Sequence, residues 1–229
     1  MELIDPTPIL VDRVYDKLRH AIATCALAPG ERIRQAELAD RLGVSRQPVS
    51  HALQLLKRDG LVEETGRKGL KVTEIDPAHL RDVYQVRAAL DALAARLAAE
   101  RVAAGEMPTA AAPALAAILD KACAFGDKTP TDERIALDIA FHNQIIAMSG
   151  NRRIAETLEP QFAHMMRSMR LVLDIGGFRA KAWQQHGEIA RLVLAGDTSA
   201  GEAARAHAEI AGRETEARLR EGRALRHSA

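Results

Sequence analysis

Aromatic residues are scarce in this chain. One Trp, two Tyr and four Phe make up 3% of its 229 residues, so a core has to be built from aliphatic side chains and alanine. Such a core lets helices approach closely and leaves any inward polar residue conspicuous. Cysteine is nearly absent as well. Cys25 and Cys123 fall in different parts of the chain and make no metal-binding or disulfide spacing, which fits reduced core thiols in a cytosolic protein. Nowhere do apolar residues run long enough to span a bilayer. The N-terminus, with Glu2, Asp5, Asp12 and Arg13 around a short apolar run, carries no secretion signal. The expectation is a cytoplasmic protein with no membrane partner. A surplus of one charge sign is missing too. The net charge is +1, so the overall balance neither supports nor excludes nucleic acid, and only the local charge of a face can decide.

What is present is concentrated in residues 37–72, which read ELADRLGVSRQPVSHALQLLKRDGLVEETGRKGLKV. A short helix through Leu38, Ala39 and Leu42 stops at Gly43, the residue type that closes a helix with positive φ. Ser45 opens a second helix, where its hydroxyl can cap the free N–H groups. Pro48 sits in that first turn at little cost, and the apolar stripe continues through Val49, Ala52, Leu53 and Leu56 until Gly60. A β-hairpin follows, with Leu61 and Val62 on one side, Leu70 and Val72 on the other, and Gly66, Arg67, Lys68 and Gly69 at its tip. The pattern is a winged helix-turn-helix, and the partner it implies is double-stranded operator DNA.

At the start of the second helix Ser45, Arg46, Gln47, Ser50 and His51 stand where a helix N-terminus enters a major groove. Arg67, Lys68 and Gly69 at the wing tip suit phosphate or minor-groove contact. Arg46, Lys57, Arg58, Arg67, Lys68 and Lys71 supply the local positive charge of this face. Taken one at a time, each of these could equally be a solvated surface residue; the constellation carries the reading.

The stretch resembles the DNA-binding domain of the GntR family of bacterial transcription regulators, in its leucine-alanine helix, GVSR, Pro-Val, apolar helix and DGLV before a glycine-containing wing. Leu27, Pro29, Gly30, Glu31 and Arg32 match the family's lead-in from a first helix, here residues 10–26 with Val14, Leu18, Ala21 and Ile22 as its buried stripe. Ser50 and His51 depart from the family's usual Arg-Glu pair, which implies a different operator preference.

After Asp76-Pro77 the sequence becomes alanine-rich and helical throughout. This divides the chain into a DNA-binding domain, residues 1–76, and an all-helical domain, residues 77–229, both of ordinary size. Helices are expected over 78–104, 110–125, 132–149, 152–174, 178–195 and 199–220, joined by short Gly-, Pro- or Thr-containing breaks, hence a six-helix bundle of antiparallel neighbours. The fold class is mainly α.

Polar residues that face this bundle's interior are the second informative feature. In the helix over 132–149, Ile135, Ile139, Phe141 and Ile146 form an apolar stripe, and Asp138 and His142 fall on or beside it, one turn apart. A carboxylate and an imidazole so placed form a two-ligand clip for a divalent transition metal. His186 shares a face with Trp183, Ala190 and Val193, and His207 with Ala203, Ala204, Ile210 and Ala211. Singly, each could be a hydrogen-bonded core residue.

The segment DIAFHNQIIAMSGN over 138–151 is similar to the metal-binding helix of the FCD effector domain, which follows the winged helix in the FadR-type branch of the GntR family. His186 with Ile189, Leu194, Gly196 and Asp197, then His207, and Arg87 in YQVRAALDALAARLAAE extend the likeness. The resemblance implies a divalent metal (zinc, nickel or manganese) held by Asp138, His142, His186 and His207. It also implies a small carboxylate effector received by the metal and nearby arginines, with Arg87 first and Arg170 and Arg167 behind it. Two departures stand out. The interval from Asp197 to His207 is one residue shorter than usual, which would rotate His207 by about 100° unless the turn absorbs it. Asp91 replaces the usual Glu one turn after Arg87, where it could simply pair with Arg87.

The implied function is a ligand-responsive, homodimeric transcription regulator and not an enzyme. Two alternatives have other chemistry. A metal with an open position could activate water as in a hydrolase, with only Glu188 and Glu214 as candidate bases. Or the bundle could be a purely structural dimerisation module that binds no metal.

Overall fold

A computed structural model describes residues 8–66, 69–126, 128–172 and 178–227. The chain divides into two compact units, Met1–Ile75 with Phe162–Arg167, and Asp76–Gln161 with Ser168–Ala229.

The first unit is a three-helix winged helix-turn-helix. α1 (Pro8–Ala23), α2 (Gln35–Leu42) and α3 (Arg46–Arg58) pack with a small sheet of β1 (Arg32–Ile33), β2 (Val62–Thr65) and β3 (Gly69–Val72) in the order β1-β3-β2. The glycine breaks act as the sequence suggests. Gly43 caps α2 with φ 66°, and Gly60 follows α3 with φ 72°. Ser45 occupies the N-cap position of α3, yet its hydroxyl makes no cap bond, contrary to expectation.

The sequence showed two strands; β1 is a third, pairing Arg32 with Lys71 and Ile33 with Leu70. Two residues are too few to display a period. The β2–β3 register sets Val62 opposite Val72 and Glu63 opposite Lys71, which turns Val62, Leu70 and Val72 onto the core of Ile22, Val49, Ala52, Leu53, Leu56 and Leu61. Each fully buried aliphatic side chain of this kind contributes about 1.5–3 kcal/mol.

Residues 162–167 complete this unit, and Ala163 joins its core. Arg167 donates from Nη1 to the Thr73 carbonyl (2.8 Å). Its Nη2 donates to Thr73 Oγ1 (3.1 Å) and to His164 Nδ1 (3.1 Å). With Nδ1 accepting, His164 carries its proton on Nε2 and donates it to the Asp59 carbonyl (2.9 Å). Thr73 Oγ1 in turn donates to the Gly60 carbonyl (2.8 Å). The end of α3 and the end of β3 are therefore tied together by two buried polar side chains. Arg167, a weaker effector candidate from sequence, is committed here. Cys25 is half-buried, and Cys123, in the second unit, is exposed and not a core thiol.

The second unit is all-helical. α4 (Pro77–Ala103) starts at the Asp76 N-cap, whose carboxylate accepts from the backbone of Ala78 and His79 (3.3 Å each). α5 (Ala111–Cys123), α6 (Thr131–Ser149), α7 (Arg152–Leu158), α8 (Phe162–Val172, which belongs to this unit from Ser168 onward), α9 (Phe178–Leu194) and α10 (Ala200–His227) follow. The expected helix over 152–174 is two helices, because Pro160, without an N–H and restricting the residue before it, forces the 3-10 turn Glu159–Gln161.

α4 is the central rod, packed by α6, α9 and α10. Its inner face is alanine, with Ala94, Ala95, Ala98 and Ala99 fully buried. Glycine completes the close approach of α10. A Cβ on Gly201 would sit 2.9 Å from the Ala92 carbonyl, and one on Gly212 would sit 2.7 Å from Tyr84 Cβ. His207 lies between these two notches. Among the described residues, no helix is long and apolar enough to cross a membrane.

Candidate metal centre and nucleic-acid interface

On α3 the apolar and polar residues separate cleanly. Val49, Ala52, Leu53 and Leu56 are buried, while Ser45, Arg46, Gln47 and His51 are exposed and Ser50 is half-buried. Among the described residues, Arg46 takes part in none of the ion pairs. Lys57, by contrast, pairs with Glu64 (2.6 Å), Arg58 with Asp59 (3.4 Å) and Lys71 with Glu63 (3.0 Å). Such surface pairs are weak and can exchange for a phosphate. Gly69 opens β3 with no room for a side chain, since a Cβ there would lie 2.5 Å from the Thr65 carbonyl. Arg67 and Lys68 lie outside the described residues.

In the helical unit three histidines converge. His142, His186 and His207, on α6, α9 and α10, are all buried, and one ligand atom from each falls within 4.8 Å of the others. The Nε2 atoms of His186 and His207 are 3.0 Å apart. Asp138 stands at the edge, Oδ1 at 3.6 Å from His186 Nε2 and Oδ2 at 3.9 Å from His142 Nε2. The His207 ring therefore faces inward despite the short interval before it. The turn at Gly196 (φ 70°) leads into α10, which begins at Ala200.

Electrostatics keep two of these rings, His186 and His207, in donor form. Burial pushes the His186 imidazolium well below its ordinary range, with His207 and His142 adding to the effect. Burial, followed by His142 and Arg87, brings His207 down to about 3. Two neutral imidazoles with facing nitrogens at 3.0 Å repel unless a proton or a cation lies between them. His142 Nε2 is buried with no hydrogen-bond partner among the described residues. A buried, orphaned nitrogen beside two others and a carboxylate is a donor set suited to a divalent transition metal.

Behind His142 lies a buried ion pair. Arg87 Nε donates to Asp91 Oδ2 at 3.1 Å, and the same oxygen is 3.4 Å from His142 Nδ1. Burial alone would raise the Asp91 carboxyl; Arg87 and His142 outweigh it and bring it down to about 2. Arg170 pairs with Asp132.

Comparison with known proteins gives the family. Residues 10–72 match the family model described as bacterial regulatory proteins of the gntR family, and residues 82–221 match the FCD domain. The chain belongs to the GntR family. An HTH-type transcriptional regulator from an unstable DNA locus of Streptomyces ambofaciens is 34% identical over 190 residues, covering 80% of this chain and 75% of that protein. The HTH-type transcriptional repressor GlaR of Escherichia coli (strain K12) is 30% identical over 201 residues, covering 84% and 90%. Among solved structures, E. coli McbR/YncC shares the fold with a TM-score of 0.75 at 21% identity, covering 96% of this chain and 99% of that one. The protein is a DNA-binding transcriptional regulator of the GntR family with an FCD domain, and its relatives are regulators, not enzymes.

Within this GntR-family chain, sequence reasoning collected the residues that the structure brings together at the histidine cluster. It took Asp91 only as a partner for Arg87. Gln185, whose Oε1 is 2.9 Å from His207 Nδ1, escaped notice; half-buried and polar on a polar helix, it gives no signal in one sequence.

Proposed function

We propose that the protein is a cytoplasmic, homodimeric repressor or activator whose operator affinity is set by a small carboxylate bound at a metal centre in the helical domain. Residues 1–76 form the DNA-binding domain. Ser45, Arg46, Gln47, Ser50 and His51 contact the major groove, and Arg67, Lys68 and Gly69 contact phosphate or the minor groove. Residues 77–229 hold the metal and the effector and pair with a second copy. The observation that carries the effector half of this reading is the convergence of His142, His186 and His207 around the orphaned His142 Nε2.

Asp138, His142, His186 and His207 would hold the ion. Histidine and carboxylate donors suit zinc, nickel or manganese without choosing strongly among them. A divalent ion there supplies positive charge and open positions for a carboxylate. Arg87 takes part by sharing its guanidinium between Asp91 and the effector, and Arg170 by exchanging Asp132 for it. An effector that binds one arrangement of the dimer better than another shifts the population, and operator affinity follows.

The test is thermal unfolding of the full chain against a panel of small carboxylic acids, with chelation and metal add-back. A ligand at a hundred times its Kd adds about 2.7 kcal/mol to the folded state. A midpoint rise that is lost on chelation and restored by metal supports the reading. No bound metal and no shift would leave a structural bundle.

A further inference from the structure

We propose that Asp91 and Gln185 are positioning residues of the metal centre, each holding the Nδ1 edge of one histidine so that Nε2 of His142 and of His207 face the same point. The inference rests on the reading of those histidines as ligands, and it adds what selects the ligating nitrogen. A neutral imidazole has one donor and one acceptor nitrogen, and a strong acceptor at Nδ1 fixes the proton there and turns Nε2 into a lone pair.

For His142 the acceptor is a carboxylate. Asp91 Oδ2 is 3.4 Å from Nδ1 on one side and accepts from Arg87 Nε at 3.1 Å on the other. Asp91 and Arg87 are each less than a tenth exposed. Burying a lone carboxylate is costly, so Arg87 is what permits Asp91 to stand ionised behind the ring. For His207 the acceptor is neutral. Gln185 Oε1 is 2.9 Å from Nδ1, and it comes from α9, one residue before His186.

His186 has neither device. Its Nδ1 is buried without a hydrogen-bond partner among the described residues, and the ring is set by packing, stacked on Phe141 at 4.2 Å and met edge-on by Trp183 at 4.7 Å. The three rings are thus aimed by an ion-paired carboxylate, a side-chain amide and an aromatic wall. The arrangement makes His142 the most electron-rich of the three, because only its Nδ1–H faces a charge.

Removing an outer partner of a metal-bound histidine typically weakens metal binding by about 10–100-fold. The experiment uses the full chain, selectively labelled with 15N-histidine, stripped with a chelator and titrated with Co(II) against a chromophoric competitor. The variants are Asp91→Asn, Asp91→Glu and Gln185→Leu. Asp91→Asn leaves Arg87 buried beside an uncharged amide and can fail to fold. Gln185→Leu changes a half-buried residue with no charge to compensate, so it keeps the inference open to refutation.

Two results are expected. Ring 15N shifts of the stripped protein report protons on Nδ1 of His142 and His207, with Asp91→Asn disturbing only the first and Gln185→Leu only the second. Co(II) affinity falls by about 10–100-fold in both, with a changed visible spectrum, and Asp91→Glu recovers most of the loss. If wild type binds Co(II) while folded Gln185→Leu and Asp91→Asn bind it equally, with unaltered 15N shifts, the positioning role is wrong and the ligand reading stands. If wild type binds none of Co(II), Ni(II), Zn(II) and Mn(II), the ligand reading falls and this inference with it.

Discussion

The two units place the polar residues assigned to function in opposite ways. In the winged unit the residues assigned to DNA stand outside an aliphatic core. Arg46, Gln47 and His51 are exposed above Val49, Leu53 and Leu56. In the helical unit the informative polar residues are the interior. Arg87, Asp91, His142, His186 and His207 are all buried against alanine and aliphatic side chains. A surface site can lose a residue without touching the fold. A buried one cannot, because each polar group there is also a packing element that must be satisfied. Recognition and stability are therefore separable in the first unit and coupled in the second.

The largest expected effect is on stability. Leu53→Ala removes a side chain that is 1% exposed at the centre of the winged unit. It should cost about 2–5 kcal/mol by urea unfolding and abolish operator binding through the fold. Metal removal comes next. Chelation should lower the unfolding midpoint of the helical unit by the loss of about 2.7 kcal/mol when metal had been present at a hundred times its Kd. Hydrogen exchange should place the loosening in α6, α9 and α10 and spare α1 to α3.

Arg46→Ala should leave the unfolding midpoint unchanged and cost about 1–3 kcal/mol of operator binding, read by fluorescence anisotropy, with a shallower salt dependence. The smallest effect is at Glu63. Glu63→Gln releases Lys71 from a surface pair (3.0 Å); stability should change by less than about 1 kcal/mol, while operator affinity rises slightly at low salt. If Arg46→Ala destabilised the fold as much as it weakened binding, the contrast between the units would fail.

The same contrast explains what a sequence can disclose. Gly43, Ser45 and Gly60 mark the ends of α2 and α3 locally, so those helices and the hairpin were legible, whereas the first helix, expected over 10–26, runs Pro8–Ala23 and the two-residue β1 gave no signal. The inward set Asp138, His142, His186 and His207 was legible because a core so poor in aromatics makes polar positions on an apolar face stand out. The partners of that set were not. Asp91 touches His142 across 51 residues of chain and Gln185 touches His207 across 22, contacts that no local period encodes. His207 likewise faces the cluster in spite of the short interval before it, which helical spacing alone does not foresee. Arg167, read as a possible effector ligand among methionines, meets Thr73 across 94 residues.

The most direct test is operator affinity of the full chain, measured by fluorescence anisotropy on a duplex selected from a random library. The protein is compared stripped, metal-loaded, and metal-loaded with each acid that shifts its unfolding midpoint. The account predicts that at least one acid changes affinity by about 5–150-fold in the metal-loaded protein. It predicts no change in the stripped protein or in a His186→Ala variant. Equal affinity in every state would contradict it, and would make the histidine cluster a structural core without a role in switching.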